Sequence, residues 1–175
     1  MDKYYPFDIN SNRMLMRMNI NASWKFDDVY FQIHEMPDGS VKVFWRKGLS
    51  DRKHVEATIM IENRCFKGNR LPLSELVLTD EYKKEMLILS PINELVFSNE
   101  EQKLITDLCN KGIPDNYKTG GGRDGHSYDI WFENSKRYGL WCIVHESLRP
   151  VADVINLLVS RAGLDEDMYG IKVQK

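Results

Sequence analysis

Ser127-Tyr128-Asp129-Ile130-Trp131-Phe132-Glu133, then the turn Asn134 to Arg137, then Tyr138-Gly139-Leu140-Trp141-Cys142-Ile143-Val144-His145: this stretch decides the fold. Tyr128, Ile130 and Phe132 fall on one side of an extended chain and Asp129, Trp131 and Glu133 on the other, the period of two that marks a half-buried strand. Tyr138, Leu140, Cys142 and Val144 alternate in the same way with Gly139, Trp141 and Ile143. Two such runs around a short polar segment predict an antiparallel hairpin. Its apolar face needs a cover, and the next segment provides one. Ser147 can cap a helix that tolerates Pro150 in its first turn, and Val151, Val154, Ile155, Leu158 and Ala162 recur at helical spacing before Gly163. The expectation is that Tyr128, Ile130, Phe132, Leu140, Cys142 and Val144 lie under this helix, with Cys142 an inert core thiol. His126, at the mouth of a glycine loop, is expected to contribute little to stability.

Working backward, Ser98-Asn99-Glu100-Glu101 spells a capping box, so a helix starts near Asn99, runs through Leu104, Ile105 and Leu108, and stops at Gly112 and Pro114. Between residues 71 and 97, Leu73 to Leu78 and Glu81 to Leu89 fit a short helix and a strand equally well, with Pro91 interrupting the pattern. Further upstream, Arg13 to Ile20 alternates with Met14, Met16, Met18 and Ile20 inward. Val29 to Met36 reverses through Pro37-Asp38-Gly39-Ser40 into Val41 to Arg46. His54 to Glu62 alternates again, with Val55, Ala57, Ile59 and Ile61 inward. The predicted fold is α+β: an amino-terminal antiparallel meander and a carboxy-terminal hairpin, with about two main helices packed on one face. At 175 residues, one domain spanning 1–175 is expected.

A 42% hydrophobic chain with a formal net charge of −2 is neither disordered nor steered as a whole onto nucleic acid or an acidic membrane. Cys65, Cys109 and Cys142 are odd in number and contain no CxxC, which signals neither a disulfide framework nor a zinc ribbon. The start MDKYYPFDIN lacks the basic and apolar regions of a signal peptide, and no apolar run approaches the ~20 residues that span a bilayer. A cytoplasmic protein with no membrane partner and no cofactor is expected.

The chemistry-bearing candidates follow from this frame. The loop Lys118 to Gly125 is glycine-rich, but it opens a strand and lacks phosphate-loop spacing, so it reads as a linker. His126 and His145 end the two hairpin strands. With a two-residue turn they face each other beside Asp124 and Glu146, a place for a metal ion or an acid/base pair. With a three-residue loop, Glu133 faces Arg137 instead and the apolar faces separate cleanly, which is the favoured register. Trp131 and Trp141 then share the opposite face, either exposed as an interface or covered by a second layer. No nucleophile elbow, HExxH or papain-like spacing occurs. Charge is segregated: residues 46–70 carry a local net of +4 and residues 71–110 a local net of −5. The basic block, with Phe44, Trp45 and Phe66 as stacking partners, suggests at most a weak nucleic-acid binder.

The stretch Arg123-Asp124-Gly125-His126-Ser127-Tyr128-Asp129-Ile130, a second aromatic strand, and Ser147-Leu148-Arg149-Pro150 before an apolar helix resemble the ending of many small uncharacterised bacterial proteins, some of them immunity partners of toxins. His126 stands where that pattern more often has a hydroxyl residue. The matching motif is structural, a turn and a helix start, and carries over no catalytic residue. The resemblance implies a non-catalytic, protein-binding function such as toxin neutralisation, and the acidic segment from Glu75 to Asp107 would suit a basic partner. Glu75, Asp80, Glu81 and Glu85 would then belong to the steering surface, and Trp131 and Trp141 to the contact. The alternative is a metal-dependent or acid/base enzyme built on His126, His145, Asp124 and Glu146.

Overall fold

A computed structural model of the chain describes residues 7, 9–22, 27–49, 51–114, 117, 125–133 and 136–174. The meander comprises β1 (Arg13–Asn21), β2 (Val29–Glu35) and β3 (Val41–Lys47). The reversal between β2 and β3 closes through the Met36 N–H donating to the Ser40 carbonyl at 2.8 Å, with Gly39 at φ +81°, where a side chain would be strained. Three helices follow, α1 (Asp51–Cys65), α2 (Leu73–Leu76) and α3 (Asp80–Leu89), then the short strand β4 (Asn93–Leu95) and α4 (Asn99–Lys111). The hairpin is β5 (Ser127–Phe132) and β6 (Arg137–Trp141). After it come β7 (Ile143–His145), a single 3-10 turn (Glu146–Leu148), α5 (Arg149–Arg161), α6 (Glu166–Tyr169) and β8 (Lys172–Gln174).

Six strands form one antiparallel sheet in the order β4-β3-β2-β1-β5-β6, and β7 and β8 form a separate parallel pair. The fold is α+β. The capping box at Ser98 and Glu101 is present as spelled, with both reciprocal bonds made. Met18, Ile20, Phe31, Ile33, Tyr128, Ile130 and Leu140 line one sheet face and share a core with Ile105 and Leu108 of α4 and Val151, Val154, Ile155 and Leu158 of α5. The helix expected to cover the hairpin does so.

Four local expectations are overturned. His54 to Glu62 is not a strand but the middle of α1. Ala57 and Ile61 are buried as predicted, but they are four residues apart and so share a helix face too. Val55 and Ile59, which the alternation placed inside, are 56% and 49% exposed. In β1 the register shifts between Met14 and Met16. That bulge turns Leu15 into the core, leaves Met14 37% exposed, and lets the Leu15 carbonyl accept from the Glu133 N–H at 3.1 Å. In the hairpin, Tyr128 faces Leu140 and Trp131 faces Arg137. The favoured register is thus two residues off, with its face parity kept. Glu133 pairs not with Arg137 but with Arg13 at 2.9 Å. The second strand also breaks at Cys142, whose carbonyl accepts from the Lys172 N–H at 2.7 Å, so Val144 and His145 belong to the β7–β8 pair and Cys142 is half-buried.

Candidate functional site

The face of the sheet turned away from α4 and α5 carries the candidate surface. Residues alternate along β2, so with Phe31 and Ile33 in the core, Tyr30 points to the opposite side. There it packs against a second apolar cluster formed by Ala57 and Ile61 of α1, Leu76 of α2, and Tyr82 and Met86 of α3. α3 is capped by Thr79, whose hydroxyl accepts from the Tyr82 N–H at 3.2 Å. Tyr82 is buried, and its hydroxyl lies 2.8 Å from Nε2 of His54.

This three-helix layer covers little beyond its own centre. Thirteen large apolar side chains are exposed among the described residues, and eight of them, Val55, Ile59, Met60, Leu73, Leu78, Leu87, Ile88 and Leu89, lie within it. Ile88 and Leu78 are 71% and 70% exposed. Between α1 and α3 a cleft of about 240 Å³ is lined by Leu49, Lys53, Glu56, Ala57, Met60 and Leu89. Sequence periodicity missed this surface because residues 71–97 fit two periods and the α1 segment was assigned to a strand. Its available signal was the excess of apolar residues over what one helix face can bury.

Of the acidic residues singled out from sequence, Glu75, Asp80 and Glu81 are exposed on this layer. Glu85 is turned inward and paired with Arg64 at 2.9 Å, so it joins α3 to α1. That ion pair also links the basic and acidic blocks, which partly neutralise each other within the layer.

Beyond the layer the same sheet face runs across β1, β5 and β6. Trp131 is half-buried there, with the Arg17 guanidinium 4.2 Å and that of Arg137 5.5 Å from its ring centroid. Arg137 also donates from Nε and Nη2 to Asp129 at 3.0 and 2.8 Å, and Asn21 donates to the same carboxylate at 3.0 Å. Trp131 is therefore clamped, while Trp141 at the end of β6 is 39% exposed. Sequence expectation placed the two tryptophans on one face, and they share it.

The two histidines stand apart in role. The β5–β6 ladder sets Trp141 opposite Ser127, and His145 lies four residues beyond that pair, on β7 opposite Gln174. Its Nδ1 accepts from the Ser147 N–H at 3.1 Å, capping the 3-10 turn. His126 is buried and lies 2.6 Å from the Tyr128 hydroxyl and 2.9 Å from the Gly170 carbonyl. Burial lowers its pKa below the usual imidazole value, the Gly170 carbonyl opposes that shift, and Lys172 adds to it. Glu146 is engaged by Arg149 at 2.6 and 2.7 Å, which holds its carboxyl below the usual range. Asp124, like Trp24 and most of the glycine loop, lies outside the described residues. Among the described residues no group of three or more His, Cys, Asp or Glu side chains is arranged to hold a metal ion.

The remaining candidates are occupied structurally. Arg46, a member of the basic block, is fully buried beneath the Phe7 ring at 4.6 Å. Phe44 is buried and Trp45 stacks on Phe31, so neither is presented for base stacking. Burial pushes the Cys109 thiol up to about 12, away from thiolate chemistry. No helix among the described residues is long and apolar enough to cross a membrane. Compared with protein-family profiles, curated proteins and solved structures, the chain matches none.

Proposed function

We propose that this chain is a non-catalytic protein-binding module whose partner is a basic protein, with toxin neutralisation as the setting suggested by the resemblance of its carboxy-terminal third. The observation that carries the proposal is the concentration of exposed apolar side chains on α1–α3, bordered by Glu75, Asp80 and Glu81. Apolar residues left in water on one layer are characteristic of a surface that is covered on association. Exposed carboxylates beside them, of which Asp80 is paired with Lys83 at 3.8 Å, speed encounter with a cationic partner and make that encounter sensitive to salt. Trp141, at the other edge of the sheet on β6, adds a separate exposed side chain of a type that often dominates binding energy.

The test is capture from native lysate on the immobilised full chain, with the product of any adjacent gene supplied as a candidate. A stoichiometric basic protein, whose association slows as salt rises, is the expected result. Finding no stoichiometric protein partner, or one whose association is indifferent to both salt and the charge of Glu75, Asp80 and Glu81, would overturn the proposal.

A further inference from the structure

Residues 166–174 are fastened by a short main-chain pairing and by side chains reaching across from other elements. β8 pairs with β7 over three residues only. Asn156 of α5 imitates a strand partner: its Oδ1 accepts from the Ile171 N–H at 2.8 Å and its Nδ2 donates to the Ile171 carbonyl at 3.0 Å. From β5, the Tyr128 hydroxyl donates to the Tyr169 carbonyl at 2.9 Å. Having given its one proton there, the phenol oxygen can only accept from the His126 ring 2.6 Å away. Nε2 of the neutral imidazole therefore carries the hydrogen and shares it between that oxygen and the Gly170 carbonyl. Gly170 cannot yield its place to a larger residue, since an added Cβ would collide with the Glu166 carbonyl.

A second proton on this ring has to go to Nδ1, and it creates a cation on a side chain only 9% exposed. Among the described residues, the ionisable groups around it offer that cation no counter-charge. Lys172 of β8 is itself cationic and acts against it. Tyr128 is neutral, with its ionisation pushed far up by burial and by Cys142. Asp27, Asp28 and Asp165 act on the Tyr169 hydroxyl, and among the described residues no carboxylate bonds to the imidazole. We infer that β8 is an acid-releasable strap, and that protonation of His126 is the event that loosens it. Release withdraws Tyr169 and Ile171 from the core and bares the edge of β7.

The sign follows from the neutral ring being the one that fits. The strap is fully held above the pKa of the released ring, 6.5. Its hold is lost as pH falls below that value and levels off below the lower pKa of the closed state. At pH 5.5 the released population rises up to about tenfold, the ratio set by a free imidazole one pH unit below its pKa.

Amide hydrogen exchange on the full chain at pH 7.5 and 5.5, corrected for intrinsic rates, reads this directly at Ile171 and Lys172. The comparison is His126→Gln, which keeps a donor near the Nε2 position and does not titrate. Protection of the two amides should fall about tenfold in the wild type and stay level in the variant. The other buried histidine, His34, is untouched in that variant, so a loss caused by acid acting elsewhere would persist there. Equal losses in both proteins, or none in the wild type, would overturn the inference. Should the variant fail to fold, an NMR titration of the wild type decides. The strap resonances must move with the His126 ring at a midpoint below 6.5, and a ring titrating at or above 6.5 overturns the strap.

Discussion

At the level of single residues, His126 and Leu158 exchange less weight than their positions in the chain suggest. Leu158 is fully buried between α5 and the sheet, so Leu158→Ala should cost about 2–5 kcal/mol through lost transfer energy and a residual cavity. His126 was expected to matter little beside a glycine loop, yet the ring bridges β5 and the segment before β8. His126→Ala leaves the Gly170 carbonyl without its donor and should cost about 1–3 kcal/mol. Denaturant titration of the two variants checks both values, and Leu158→Ala remains the more damaging. Ser98→Ala removes the capping-box hydroxyl at the start of α4 and should cost about 1 kcal/mol by the same measurement. The cap, the α5 stripe and the inward set of β5 were all legible, because each depends on residues within one turn or one strand. The partners of His126 were not, because Gly170 lies 44 residues away in the chain and nothing local announces a buried imidazole.

At the level of elements, α1 marks where local pattern runs out. Ala57 and Ile61 satisfy a period of two and a period of 3.6 equally, so their burial does not discriminate, whereas Ile59 does. A strand would bury both Ile59 and Ile61; the helix buries Ile61 and leaves Ile59 half in water. Ile61→Ala should therefore cost about 2–5 kcal/mol, while Ile59→Ala should stay within about 0.5 kcal/mol, as surface changes do. Equal costs in thermal or denaturant unfolding would restore the strand. The hairpin shows a different limit. Segregation of apolar and polar faces settles the parity of the register but not its value, since a shift of two residues preserves every face. What favours the observed register includes contacts that no face pattern encodes: Arg137 opposite Trp131 and bonded to Asp129, and Glu133 drawn to Arg13 of β1.

At the level of the whole molecule, the sheet divides its two faces between two tasks. One face is closed by α4 and α5 over a continuous core. The other carries a small helical layer that holds together around Tyr82 and Met86 and leaves on its outside most of the exposed large apolar side chains among the described residues. The segregation of charge was visible in sequence, and three of the four acidic residues named from it remain on the surface. Their apolar neighbours were not foreseen, because exposure is a property of packing and residues 71–97 gave no single period to pack. The central claim is that this layer is a binding surface, and affinity capture with surface variants tests it most directly. Ile59→Lys together with Ile88→Lys changes two exposed positions at little cost to the fold, which circular dichroism and the unfolding midpoint would confirm. The wild type should retain a stoichiometric basic protein from native lysate, and the double variant should lose it. Retention of the same partner by both proteins, or by neither, would contradict the account.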